Sequence, residues 1–129
     1  MLLDVKSVDK KFNGVYALKG LDFSLGEGEV HGLIGENGAG KSTFIKILGG
    51  VYKRDGGSIL WNGKDLPEVI RPEESRKLGI NIIFQDNVLI PAFTGMENIC
   101  LGRPYPVKGG LIRWKEMERE AAAKAEEFG

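Results

Sequence analysis

Gly35-Glu36-Asn37-Gly38-Ala39-Gly40-Lys41-Ser42-Thr43 decides how this chain is read. The stretch has the form G-x-x-x-x-G-K-S, the P-loop pattern that cradles the phosphates of a nucleotide. Its glycines let the backbone curl so that successive N–H groups point at an anion. Lys41 adds a cation for the β- and γ-phosphates. Ser42 offers a hydroxyl to Mg²⁺, a small hard ion that takes oxygen ligands. The candidate nucleotide contacts are therefore Gly35, Asn37, Gly38, Ala39, Gly40, Lys41, Ser42 and Thr43, with Asn37 acting through its backbone alone.

A working P-loop follows a strand and opens a helix. Val30-His31-Gly32-Leu33-Ile34 precedes it and is mostly apolar, as a buried strand is. Thr43 to Leu48 follows, with Phe44, Ile47 and Leu48 at helical spacing, and Gly49-Gly50 then ends the helix. His31, the single histidine, lies in the preceding apolar run and reads as a packed or edge residue rather than a catalytic one.

The chain has 129 residues, enough for one domain with a real core. Apolar residues make up 42% and charged residues 28%, an ordinary soluble composition. The net charge of +0 argues against nucleic acid as a partner. Cys100 is alone, so no disulfide forms within the chain, which fits a reducing compartment. No segment approaches the roughly 18 apolar residues needed to span a bilayer. The N-terminus, Met1-Leu2-Leu3-Asp4-Val5-Lys6, has an early acid and no long apolar run, unlike a signal peptide. The expectation is a cytoplasmic protein whose membrane role, if any, runs through a partner.

Working outward, Leu3 to Val8 alternates as a half-buried strand does, and Asn13-Gly14 is a tight-turn dipeptide. A second alternating run follows, with Leu21, Phe23 and Leu25 on one face. Ser58 to Trp61 and Lys64 to Leu66 flank Asn62-Gly63, another hairpin. Pro72 begins a short helix to Leu78, closed by Gly79. Ile80-Asn81-Ile82-Ile83-Phe84 reads as a buried strand. Thr94-Gly95-Met96-Glu97 is a capping box for a helix to about Leu101. Arg103 to Gly110 reads as a loop, and a last helix from Trp114 places Trp114, Met117, Ala121, Ala125 and Phe128 on one stripe.

A P-loop alone does not separate kinases from GTPases or transport ATPases. Its surroundings do. Ala17-Leu18-Lys19-Gly20, Gly28-Glu29-Val30, Asp55-Gly56-Gly57, Asn62-Gly63 and an apolar run ending in Gln85 together resemble the N-terminal half of an ABC-transporter ATPase domain. Leu89-Ile90-Pro91, Thr94, Glu97-Asn98-Ile99, Leu101-Gly102-Arg103 and Trp114-Lys115-Glu116-Met117 make it most similar to the first ATPase half of monosaccharide importers of the ribose, galactose and xylose type.

The resemblance implies an α/β, P-loop NTPase fold: an incomplete RecA-like parallel sheet core, an N-terminal antiparallel β subdomain and a C-terminal helical segment. Residues 1–28 would be the antiparallel layer, 29–93 the core through the Q-loop, and 94–129 the start of a helical subdomain. It implies ATP and Mg²⁺ as cofactors. Phe12 falls where the family stacks an aromatic on adenine, with Tyr16 a weaker candidate. Gln85 falls at the Q-loop glutamine, whose amide reaches Mg²⁺ or the attacking water, so Lys41 and Gln85 are the catalytic candidates and Ser42 and Gln85 the metal candidates. Asp86 stands where glutamate is frequent. The implied partners are transmembrane permease subunits through the Q-loop region, a second ATPase domain or subunit, and indirectly an extracellular or periplasmic sugar-binding protein. The implied location is the inner face of the cell membrane, as a peripheral protein.

Hydrolysis in this family also uses an apolar strand ending in Asp-Glu, an L-S-G-G-Q signature and a downstream histidine. Ile82-Ile83-Phe84-Gln85-Asp86 imitates the first, but Gln85 breaks the run and no Glu follows. Ile47-Leu48-Gly49-Gly50-Val51 imitates the second without its serine. The expectation is an N-terminal fragment that binds nucleotide and does not hydrolyse it alone. Two alternatives stand beside the sugar importer: an ABC ATPase of another kind, serving lipoprotein export or translation, and a nucleotide-binding module without catalysis.

Overall fold

The computed structural model describes residues 1–38, 40–84 and 89–128. The chain forms two compact units, Met1–Ile83 and Phe84–Gly129.

In the first unit, β1 (Leu3–Phe12) and β2 (Val15–Leu25) form a long antiparallel hairpin. Asn13 and Gly14 turn the chain at φ 49° and 82°, the left-handed pair whose twist matches the strands. β3 (Gly56–Trp61) pairs with the other side of β1, and β4 (Lys64–Asp65) returns through Asn62-Gly63, giving the order β2-β1-β3-β4. Successive strand residues point to opposite faces, so Val5 and Val8 should face opposite ways. Both are buried. The register shifts between them, and Ser7 sits there at φ 50° with its N–H donating to Asp22 Oδ1 at 2.7 Å. This bulge returns Val8, and after it Lys10, to the buried side.

Helix α1 (Lys41–Leu48) buries Phe44, Ile47 and Leu48, as its spacing predicts, and stops at Gly49. Together with Leu3, Val5, Val8, Leu18 and Ile59 they form the core, with Leu21, Phe23 and Leu25 packed at its margin. Helix α2 (Pro72–Lys77) joins through buried Ser75, whose hydroxyl donates to the Leu48 carbonyl at 2.7 Å and so occupies an acceptor that the end of α1 leaves open. Arg54 is buried, with its guanidinium donating to the carbonyls of Gly57, Leu66 and Pro67 at 3.1, 2.7 and 2.9 Å.

Two expected strands do not form here. Val30–Ile34 and Ile80–Phe84 lie outside any strand, and Val30, Ile34 and Ile83 are 97%, 98% and 97% exposed. Apolar content suits both runs to a parallel sheet, but a strand exists only through a hydrogen-bonded neighbour. Every strand pair among the described residues is antiparallel. No parallel strand pair is present among the described residues.

In the second unit, α3 (Gly95–Ile99) starts on its capping box. Thr94 Oγ1 accepts from the Glu97 N–H at 3.2 Å, and the Thr94 N–H donates to Glu97 Oε2 at 2.8 Å. The helix ends at Ile99, short of the expected Leu101. Helix α4 (Trp114–Phe128) packs on it through Met117 and Ala121, which share a small core with Cys100. Trp114 and Ala125, placed on the same stripe by spacing, are exposed, because α3 is too short to cover more than the middle of α4. The loop expected at 103–110 holds instead the first strand of a small hairpin, β5 (Val107–Lys108) and β6 (Leu111–Ile112), turning on Gly109-Gly110. No helix among the described residues is long and apolar enough to cross a membrane.

Candidate nucleotide-binding site

The site begins at the N-terminus of α1. Its first intrahelical bond runs from the Phe44 N–H to the Gly40 carbonyl at 2.9 Å, so the N–H groups of Lys41, Ser42 and Thr43 have no acceptor within the helix. No side chain caps this end and no acid lies in its first turn. These donors, with the helix dipole behind them, favour an anion.

Gly40 fixes where that end lies. It is buried at φ 87°, and a Cβ there would overlap the Ala17 carbonyl oxygen and Leu18 Cδ2. Only glycine lets the loop pass this close to β2. Lys41 Nζ donates to the carbonyls of Gly35 and Glu36 at 2.5 and 2.7 Å, closing the loop on its own lysine. Gly35, Asn37, Gly38 and Ser42 are exposed and Thr43 is half-buried. The P-loop candidates are thus gathered at one place, apart from Ala39, which lies outside the described residues together with Gln85 and Asp86.

Phe12 ends β1, in the same unit, with 39% of its surface exposed. Its ring meets Tyr52 edge-on, with centroids 5.1 Å apart and planes at 70°. Lys10 Nζ lies over the Phe12 ring at 5.2 Å and is paired with Asp55 Oδ1 at 3.1 Å. Asp55 Oδ2 also accepts the Lys11 N–H at 2.8 Å. That backbone bond first, and Lys10 second, hold the Asp55 carboxyl below the usual range. Tyr16 sits between Lys11 and Lys19, whose Nζ atoms are 4.3 and 5.7 Å from its ring centre. His31 is exposed, 3.1 Å from Glu29 Oε2 and edge-on to Phe23. Glu29 is held below its usual range by the Gly26 N–H first and by His31 second.

The sequence reading assigned nothing to Tyr52 or Lys10. Lys10 was legible as a neighbour on the Phe12 face of a strand, whereas Tyr52 reaches Phe12 only through the fold. Asn98 was also unassigned. Its Oδ1 accepts the Ile90 N–H at 2.8 Å, and its Nδ2 donates to the carbonyls of Ile90, Phe93 and Thr94 at 3.2, 3.2 and 3.0 Å. These bonds shape an apolar groove of about 510 Å³ lined by Leu89, Ile90, Pro91, Phe93 and Ile99.

Comparison with known proteins agrees with this geometry. The ABC transporter family model matches residues 18–129. The ribose import ATP-binding protein RbsA of Geobacillus kaustophilus (strain HTA426) is 46% identical over 129 residues, covering 99% of this chain and 26% of that protein. The chain thus spans about a quarter of the length of the curated relatives it matches. Among solved structures, a nucleotide-free ATP-binding cassette from an ABC transporter is 29% identical with a TM-score of 0.70, covering 92% of this chain and 46% of that one. A dimeric ATP-binding cassette in a post-hydrolysis state, bound to ADP and Pi, is 26% identical with a TM-score of 0.67, covering 94% of this chain and 54% of that one. A P-loop at the head of α1, an antiparallel layer beside it and a match through residue 129 have one reading: the chain belongs to the ABC transporter family and has the fold of its P-loop ATPase cassettes.

Proposed function

We propose that this chain is the nucleotide-gripping part of the ATPase subunit of a sugar importer, with ribose the favoured sugar because the relative above is named for ribose import. The observation that carries the binding role is the uncapped, acid-free start of α1, held against β2 by Gly40. The N–H groups of Lys41, Ser42 and Thr43 take phosphate oxygens. Lys41 exchanges its two loop carbonyls for the β- and γ-phosphates. The exposed remainder of Phe12 stacks on adenine, a contact worth roughly 1–3 kcal/mol by analogy with base stacking. The exposed Ser42 hydroxyl in the first turn suits Mg²⁺, with Gln85 proposed as its second protein ligand. Mg²⁺, when bound, neutralises phosphate charge.

The rest of the cycle is proposed for the assembled transporter. A second ATPase domain closes over the nucleotide, as the dimeric relative suggests, and turnover reopens the pair. A permease subunit docks at the groove that Asn98 shapes, just after Gln85 in the chain, and a sugar-binding protein delivers to that permease. This puts the protein in the cytoplasm, peripheral at the inner face of the membrane. The 129-residue sequence holds no Asp-Glu pair after an apolar run and no L-S-G-G-Q, so this chain binds ATP without turning it over.

Calorimetric titration with ATP and Mg²⁺, alongside phosphate release, tests this. Binding without turnover is expected, and Lys41→Ala should weaken binding about 10-fold or more, the worth of charge-assisted hydrogen bonds. Unchanged affinity in that variant overturns the phosphate-gripping role. Lys41-dependent turnover overturns the incapacity for hydrolysis.

A further inference from the structure

We infer that Tyr52 is a positioning residue for the nucleotide base, acting through Phe12; this rests on the proposal that Phe12 stacks on adenine. Phe12 stands at the last position of β1, beside the Asn13-Gly14 turn, with part of its ring open to solvent. An aromatic at a strand end must be held in one rotamer to serve as a platform, or binding bears the cost of ordering it. The fold supplies two restraints. Tyr52, in the segment after α1, meets the Phe12 ring edge-on at 5.1 Å. Lys10, two residues before Phe12 on the same strand face, places its ammonium over the ring and is itself held by Asp55.

Tyr52 is fixed in turn. It is half-buried against the main core, its N–H donates to the Lys46 carbonyl at 3.2 Å, and Lys46 Nζ lies 5.6 Å from its ring centre. Lys46 belongs to α1, the helix whose N-terminus forms the phosphate site. Tyr52 therefore ties the proposed base platform to the element that grips the phosphates. The spacing between the two ends of the nucleotide site is set by this contact, and the contact is between rings, so the tyrosine hydroxyl is dispensable.

The test compares ATP with inorganic tripolyphosphate, which has no base, by calorimetry on the full chain. Tyr52→Leu keeps an apolar filler and removes the ring. It should weaken ATP about three- to tenfold, the worth of one aromatic pair, and leave tripolyphosphate unchanged. Tyr52→Phe should bind ATP as the parent does. In a Phe12→Ala background, Tyr52→Leu should have no further effect on ATP, since the two act as a unit. Equal losses for ATP and tripolyphosphate, or additive losses in the double variant, overturn the inference. If Phe12→Ala weakens ATP while Tyr52→Leu does not, positioning by Tyr52 fails and stacking by Phe12 stands. If Phe12→Ala leaves ATP binding unchanged, the stacking proposal itself fails.

Discussion

Gly40 lies against the Ala17 carbonyl so closely that a methyl group on its α-carbon would overlap that oxygen. One contact thus joins the last residue before α1 to the early part of β2, and sets the proposed phosphate site beside the hairpin that carries Phe12. It also separates two glycines that look alike in the motif. Gly38 has the same left-handed backbone, φ 88°, but open space where a Cβ would go. Gly38→Ala should therefore cost only the left-handed penalty, roughly 1–2 kcal/mol. Gly40→Ala should cost more than that, because backbone must move as well. Urea unfolding of the two variants side by side decides the matter; equal costs would remove the Ala17 contact from the explanation.

Arg54 should be among the costliest polar positions in the first unit. It is buried and serves three carbonyls, those of Gly57, Leu66 and Pro67. Arg54→Met fills the volume but leaves these acceptors unpaired, with an expected loss of about 2–4 kcal/mol. Lysine keeps the charge without the planar fork, so Arg54→Lys should recover only part of it. A denaturant midpoint for Arg54→Met equal to that of the parent would show that the carbonyls find other donors.

Acid should destabilise both units. In the first unit the Lys11 N–H and then Lys10 hold Asp55 below its usual value. In the second, Glu97 is lowered by the Thr94 N–H and then by the Thr94 hydroxyl. A carboxyl depressed in the folded state is protonated first in the unfolded chain. Its contribution is complete above the unfolded value, around 4, and is lost as pH falls through the folded one. Stability should be flat from neutrality to about pH 5 and fall below it. Asp55→Asn should flatten that fall, and an unchanged acid limb in that variant would count against the assignment.

Val30, Ile34 and Ile83 leave apolar surface open on the first unit. Exposed apolar segments of this kind invite association with another chain. Light scattering should show concentration-dependent association, relieved by lysine at positions 30 and 34. A monomer across the accessible concentration range would contradict this.

What could be read along the chain was whatever a few neighbouring residues decide. Asn13-Gly14 and Asn62-Gly63 make their hairpins because each turn needs only its own backbone angles. Thr94 caps α3 by bonding to Glu97, three residues on. The short β5–β6 hairpin escaped because two-residue strands show no alternation, and Pro104 and Pro106 made the segment look like loop. Val30–Ile34 and Ile80–Phe84 were misjudged for a different reason: their apolar content was read correctly, but pairing is not a property of one segment.

By itself the sequence determined the P-loop motif, the helix after it, the hairpin turns and the family, because each rests on residue types at short, fixed spacing. The tertiary structure decided the rest. It set the bulge at Ser7 that turns Val8 to the buried side, the closeness of Gly40 to Ala17, and the meeting of Phe12 with Tyr52. These contacts join residues far apart in the chain, and their distances follow from how β1, β2 and α1 pack around one core, which no local pattern encodes.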